Sequence, residues 1–283
     1  MKILQVPDGM KRKVLKIADD LGDVLIDCES CFGACDLAIQ EAKILGCDKI
    51  VHYGHSKVID TGITVEYIEL RQDYDPLPLL KRHSIKENKI GLVSTLQFLD
   101  SLEKARKYLE EKGKAVRIGK GKFNQGQILG CDVLAARSVE KDVDAFLYIG
   151  SGNFHPLGLA MQTEKPVYFL DIEKGEIAVV DKEKFLKQKY AAIAIAKDAR
   201  TFGILVSVKS GQLNLKLAKE IKKKLEAKGK KAYILIFNEI KPEKLIGLEL
   251  DCYINTACPR IAIDNRTDFK KPVLNPDEIE SFI

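Results

Sequence analysis

Short apolar runs rich in Val, Ile, Leu and Phe recur along the chain, separated by longer stretches in which apolar residues return every three or four positions. A short continuous apolar run reads as a buried strand, and the wider spacing reads as a helix with one face on a core. The runs predict strands at 2–6, 24–26, 49–53, 90–94, 115–118, 145–149, 167–170, 203–208, 231–237 and 252–255. Helical periodicity covers 11–21, 98–112 and 212–228, and the last two stretches stop at Gly113 and Gly229, a residue type suited to closing a helix. Strands alternating with helices predict an α/β fold of βα units with parallel sheets.

The pattern also repeats. Asp48 stands 13 residues after Cys35 and Gly54 stands 19 after it; Asp144 and Gly150 stand 13 and 19 residues after Cys131. A third copy aligns through Asp251, which opens the run Cys252-Tyr253-Ile254-Asn255, and there the cysteine, Cys258, follows the strand. Upstream, Ile90-Gly91-Leu92-Val93-Ser94 with a helix ending Glu111-Lys112-Gly113-Lys114 parallels Phe202-Gly203-Ile204-Leu205-Val206-Ser207 with one ending Ala227-Lys228-Gly229-Lys230. The spacing predicts three similar βα modules, at 1–82, 83–196 and 197–283, the last with a C-terminal tail, each offering one loop cysteine. Because loops at the carboxyl ends of parallel strands form ligand crevices, a pseudo-threefold arrangement of the modules predicts a shared central site.

Composition narrows the classes. With 283 residues, 46% hydrophobic and 31% charged, the chain is neither disordered nor collagen-like. Its 46 Lys+Arg and 41 Asp+Glu are interleaved, so the net charge of +5 names no partner and argues against direct nucleic-acid binding. No stretch approaches the roughly 18–20 uncharged apolar residues of a membrane helix, and Met1-Lys2-Ile3-Leu4-Gln5 opens no signal-peptide core, which predicts a cytoplasmic protein with no membrane partner. In that compartment seven irregularly spaced cysteines fit metal ligation or catalysis better than disulfides. The Lys, Glu and Ile usage without Trp resembles a thermophile's, where intracellular disulfides are the alternative.

Two cysteine constellations compete. Cys28-x-x-Cys31-x-x-x-Cys35 is local, offers three thiolates on one loop, and lacks a fourth ligand at a fitting spacing. Cys35, Cys131 and Cys258 are distributed, one per module, each beside Gly or Ala that lets backbone approach an inorganic cluster. Three thiolates on a 4Fe–4S cubane leave one iron open to substrate. Cys47 and Cys252 read as buried thiols, and Cys28 and Cys31 have no fixed role. The polar loops His52-Tyr53-Gly54-His55-Ser56 and Gly150-Ser151-Gly152-Asn153-Phe154-His155-Pro156 follow strands and suit the carboxylate or nucleoside of a ligand, with a plain strand-to-helix turn as the alternative. His55 and His155 stand open between chemistry and core, His52 reads as core, and His83 lies in a charged linker. The absence of P-loop, His-Glu-x-x-His and Gly-x-Ser-x-Gly motifs removes P-loop NTPases, zincins and α/β-hydrolases.

Six segments in order carry a resemblance: Gln5-Val6-Pro7-Asp8-Gly9, Phe32-Gly33-Ala34-Cys35-Asp36, Tyr53-Gly54-His55-Ser56, Gly126-Gln127-Ile128-Leu129-Gly130-Cys131, Gly152-Asn153-Phe154-His155-Pro156, and Ala257-Cys258-Pro259-Arg260 followed by Asp264. Together they resemble the iron–sulfur enzyme family of diphthamide biosynthesis in its archaeal single-subunit form. The resemblance implies a radical S-adenosylmethionine enzyme whose 4Fe–4S cluster is held by Cys35, Cys131 and Cys258. Gly54, His55, Ser56, Ser151, Gly152, Asn153 and His155 would then neighbour the S-adenosylmethionine cosubstrate. It further implies Cγ–S cleavage to a 3-amino-3-carboxypropyl radical and methylthioadenosine, a histidine of translation elongation factor 2 as acceptor, an electron donor, and a homodimer. Cys28 and Cys31 lie outside the family pattern. The alternatives are a quinolinate-synthase-like three-cysteine cluster enzyme and a non-enzymatic scaffold that binds a nucleotide or zinc.

Overall fold

The computed structural model describes residues 1–263, 266–280 and 282. It divides into two compact units, Met1–Val180 and Asp181–Ile283. The strands are β1 (Lys2–Gln5), β2 (Val24–Ile26), β3 (Lys49–Tyr53), β4 (Thr64–Ile68), β5 (Lys89–Ser94), β6 (Ala115–Arg117), β7 (Ala145–Gly150), β8 (Val167–Asp171), β9 (Glu176–Val179), β10 (Thr201–Ser207), β11 (Lys231–Phe237), β12 (Cys252–Asn255) and β13 (Val273–Leu274).

In the first unit, β2-β1-β3-β4 form a wholly parallel sheet, and β6-β5-β7-β8-β9 a second sheet in which only β9 runs antiparallel. The second unit holds one parallel sheet, β11-β10-β12-β13. The architecture is α/β, and all three sheets obey one rule: the first strand is internal, the second pairs on one side, and the third on the other. The strand order therefore reverses between the first and third strands, and the carboxyl ends of such a pair border a natural ligand crevice. At those ends Gln5 stands opposite His52, Ser94 opposite Ile149, and Leu205 opposite Asn255.

Strands buried on both faces need continuous apolar runs, and β7 is buried at every position. Leu147 and Ile149 face one core with Leu99, Leu102, Ala105 and Leu109 of helix Leu99–Glu111; Phe146 and Tyr148 face another with Val133, Ala136 and Leu159. The third sheet packs Phe202, Ile204, Cys252 and Ile254 on Ala218, Ile221 and Leu225 of helix Leu215–Ala227. Ala192 and Ala196 of helix Glu183–Asp198 join the same core. Gly91 lies opposite Phe146, and Gly203 opposite Tyr253. A Cβ would come within 2.6 Å of the Phe146 ring at Gly91 and 2.9 Å of the Tyr253 ring at Gly203, so both repeats seat an aromatic over a glycine.

The predicted strands lie within about two residues of the observed ones, and Gly113 and Gly229 take φ of 80° and 72° after their helices. The stretch 11–21 is not one helix: a 3-10 turn, Asp8–Lys13, leads into helix Val14–Leu21. Strands β4 and β9 were not predicted because exposed positions and a glutamate interrupt their apolar runs, and β13 because it is only two residues long. Helix Glu183–Asp198 buries only Ala192 and Ala196, too narrow a stripe to mark it in sequence. No described helix is long and apolar enough to cross a membrane.

Candidate metal centre

The Cys35 loop is fastened to the end of β1 by one buried side chain. Gln5 Nε2 donates to the Asp36 carbonyl at 2.9 Å and to Asp27 Oδ2 at 3.1 Å. With its nitrogen committed to two acceptors, Gln5 turns Oε1 toward Ala38 N at 3.4 Å and His52 Nδ1 at 2.9 Å. His52 Nδ1 must then carry the proton, which leaves the Nε2 lone pair pointing at His55 Nδ1, 3.0 Å away. Asp36 N donates back to the Gly33 carbonyl at 2.9 Å and closes the turn that presents Cys35.

Cys31 enters the same pocket from the loop. It is buried, and its Sγ, a His52 ring nitrogen and a His55 ring nitrogen all lie within 4.8 Å of one another. Burial lowers His52 to about 3, helped by the neighbouring His55, and lowers His55 to about 4 against a hydrogen bond to the Tyr53 backbone. Both rings are neutral at pH 7, and burial pushes the Cys31 thiol up to about 12. Cys28 is exposed and joins no convergent group of ligand atoms among the described residues, so the local three-cysteine loop is split between surface and interior.

The Cys131 loop is held differently. Ser94 N donates to the Gly126 carbonyl and Ile128 N to the Ser94 carbonyl, so 126–128 runs beside the end of β5. Leu129 and Asp132 then exchange backbone hydrogen bonds at 2.8 and 3.2 Å, leaving Gly130 and Cys131 at the tip of a tight turn. A Cβ at Gly130 would lie 1.9 Å from the Phe154 ring, so Phe154 of helix Phe154–Ala160 is seated directly on this turn. The next residue, His155, stacks on Tyr148 with centroids 6.2 Å apart and planes 14° off parallel. Cys131 is exposed, yet its thiol is raised, first by desolvation and then by electrostatic interaction with Cys35.

The 54–56 loop reaches the same region. Gly54 has φ of 93°, and Pro7 Cγ would lie 2.8 Å from a Cβ there. Its carbonyl accepts from Gln97 Nε2 at 3.2 Å, and buried Ser56 accepts from Asn124 Nδ2 at 3.4 Å. The structure therefore joins Ser56 to the segment leading into Cys131, Gly54 to the turn that follows β5, and Phe154 to the turn bearing Cys131. Ser151 is half-buried, and Gly152 and Asn153 are exposed at the end of β7.

In the second unit Cys258 follows β12. Fully buried Asn255 donates through Nδ2 to the Cys258 carbonyl at 2.9 Å and to Asn275 Oδ1 at 2.8 Å, while its Oδ1 accepts from Ala257 N at 3.1 Å. Thr256 sends both its backbone N–H and its hydroxyl to the Leu205 carbonyl. Asn275 is fixed in turn by Glu278, which accepts from Asn275 N at 2.8 Å and whose two oxygens both accept from Arg266 Nη2, at 2.6 and 2.8 Å. Asp264, read in sequence as part of this motif, lies outside the described residues.

Sequence reasoning missed Gln5, Asn255, Thr256 and the pairing of Cys31 with His52 and His55. Gln5 and Asn255 carried a signal, since each is a polar residue ending an apolar run. Cys47 and Cys252 are core thiols as expected, and burial pushes Cys252 up to about 12.

Residues 6–283 match the sequence profile of the diphthamide synthesis protein family. The chain belongs to that family. It is 35% identical to the 2-(3-amino-3-carboxypropyl)histidine synthase of Pyrococcus horikoshii, across 98% of this chain and 84% of that protein. It is 29% identical to the enzyme of that name from Methanocaldococcus jannaschii, across 99% and 84%, and 32% identical to subunit 1 of the Caenorhabditis elegans enzyme, across 98% and 74%. Among solved structures it is similar to Dph2 from Pyrococcus horikoshii, with a TM-score of 0.91 and 34% identity over 99% of this chain and 85% of that one. A second structure of that protein, with a 4Fe–4S cluster, gives a TM-score of 0.90 at the same identity and coverage. Family membership rests on nearly the whole chain, and with it the repeated βα architecture.

Proposed function

We propose that this family member is a 2-(3-amino-3-carboxypropyl)histidine synthase, the transferase of the first step of diphthamide biosynthesis. One observation carries the reading: a near-full-length likeness, at 34% identity, to a protein solved with a 4Fe–4S cluster, in a chain that presents a loop cysteine at the switch point of each sheet. The donor set fits the group. Thiolates are its usual ligands, and Cys35, Cys131 and Cys258 each follow a glycine or alanine, with Gly33 leaving ordinary contact distance to Cys35 Sγ.

When bound, the cluster supplies the electron that breaks the Cγ–S bond of S-adenosylmethionine, releasing methylthioadenosine and a 3-amino-3-carboxypropyl group for a histidine of elongation factor 2. The protein's part is to hold and orient. Gln5, the Leu129–Asp132 turn and Asn255 fix the three cysteine loops. Gly54, His55 and Ser56, with Ser151, Gly152, Asn153 and His155, flank the cosubstrate, the glycines offering backbone N–H groups to its carboxylate. Phe154, half-buried on the Cys131 turn, would limit water around the reacting carbon. An external electron donor reduces the enzyme, which acts as a homodimer.

The test is anaerobic. Full-length protein loaded with iron and sulfide, reduced with dithionite and given S-adenosylmethionine and elongation factor 2 is expected to yield methylthioadenosine and one modified histidine. A reduced, cluster-loaded enzyme that forms no methylthioadenosine would overturn the reading.

A further inference from the structure

We propose a second metal site, separate from the three loop cysteines, in which Cys31 Sγ, His52 Nε2 and His55 Nδ1 bind one divalent cation of the zinc class. Ligand atoms about 2.0–2.3 Å from a tetrahedral ion stand roughly 3–4 Å from one another. Cys31 Sγ and one ring nitrogen of each histidine already lie within 4.8 Å of one another, and His52 Nε2 and His55 Nδ1 are 3.0 Å apart. No large rearrangement separates this pocket from a coordination shell.

The hydrogen bonds around the pocket have the form a metal site requires. A metal-bound imidazole usually donates its other N–H to an oxygen that fixes tautomer and ring angle. Gln5 Oε1 does this for His52 Nδ1, and Asp27 and the Asp36 carbonyl hold Gln5 so that its oxygen is the atom presented. His52 is fully buried and its Nε2 faces His55 Nδ1. One sulfur and two imidazole nitrogens select a zinc-like ion over magnesium or calcium. Binding replaces the Cys31 S–H with a sulfur–metal bond and releases one proton to solvent, the His55 proton that bridges Nδ1 to His52 Nε2 passes to His55 Nε2, and three protein ligands leave one position for water.

The site also has a structural consequence. Cys31 lies on the loop that ends in Cys35, whereas His52 and His55 sit at the end of β3 and just beyond it. A bound ion would tie the cysteine loop to the strand end with bonds much stronger than the Cys31 thiol contacts of 3.7 and 3.8 Å to the Gly33 and Asp36 carbonyls. His55 enters through Nδ1, while Gly54 and Ser56 on either side keep their places beside the cosubstrate.

The test needs neither the cluster nor the reaction, so its failure is distinguishable from failure of the proposed function. A full-length variant with Cys35→Ala, Cys131→Ala and Cys258→Ala is freed of metal and titrated with Co²⁺ without oxygen. The proposal expects one equivalent bound, a thiolate-to-cobalt charge-transfer band, intense tetrahedral d–d bands, and displacement by Zn²⁺. Adding Cys31→Ser removes the charge-transfer band, adding Cys28→Ser leaves it, and adding Gln5→Leu weakens binding by about tenfold or more. Absence of the band from the triple variant with an intact circular dichroism spectrum, or its survival in Cys31→Ser, overturns the site. If the triple variant does not fold, the wild-type chain reloaded with Zn²⁺ alone is read by X-ray absorption. One sulfur and two imidazole nitrogens support the site, and a sulfur-only shell overturns it.

Discussion

The loops of Cys35 and Cys258 are fastened by the same chemical group in different places. In the first sheet the buried carboxamide, Gln5, ends β1, and the cysteine precedes the third strand. In the last sheet it is Asn255, at the end of β12, and the cysteine follows that strand. Register makes the exchange explicit. Asn255 occupies the place of His52, and Leu205, which offers only its carbonyl, occupies the place of Gln5. The repeat thus preserves a task, a polar clamp where the strand order reverses, and lets the clamp move with the cysteine. What lies behind each clamp also differs: two neutral histidines behind Gln5, and an Arg266–Glu278 ion pair behind Asn255.

That difference breaks open first under acid. All four histidines lie in the first unit. His52 and His55, lowered to about 3 and about 4 by burial, stay neutral in the fold but take protons near pH 6.5 once unfolded. The unfolded chain therefore binds more protons, and first-unit stability is full above about pH 6.5 and falls as pH drops toward 4. The slope reaches up to about 1.4 kcal/mol per pH unit for each ring. Hydrogen exchange on metal-free protein should show this loss in 1–180 and not in 181–283; equal slopes in both units would contradict the contrast.

In the second unit the ion pair dominates. Glu278→Ala strands a guanidinium whose side chain is only 10% exposed and releases Asn275, and it should cost about 3–5 kcal/mol in denaturant unfolding. The Cys131 loop, set by contact, responds to volume instead. Gly130→Ala drives a methyl into Phe154 and should cost about 2–3 kcal/mol, with partial recovery when Phe154→Leu is added. The smallest expected effect is at Gly54→Ala, where the left-handed backbone and the Pro7 contact together predict a loss of about 1–2 kcal/mol in thermal unfolding.

Sequence showed most of what burial writes into composition. Strands such as 145–149 are apolar because both faces are covered, and Cys35, Cys131 and Cys258 stood out through spacing. Edge strands β4 and β9, with exposed positions, left no such run. The Cys31 pocket was hidden for another reason. Its ligands are separated by 21 and 24 residues and meet only because β1 lies between β2 and β3, which places Gln5 between the loop and His52. Metal motifs are read from short spacings, and this one is assembled by topology.

The central claim is that one cysteine from each sheet's switch-point loop holds the cluster. The most direct measurement is iron and acid-labile sulfide in anaerobically loaded Cys35→Ala, Cys131→Ala and Cys258→Ala, compared with Cys28→Ala and Cys47→Ala. Each of the first three is expected to lose the 4Fe–4S absorption and electron paramagnetic resonance signal, and the last two to keep them. A normal cluster in Cys131→Ala or Cys258→Ala would contradict it.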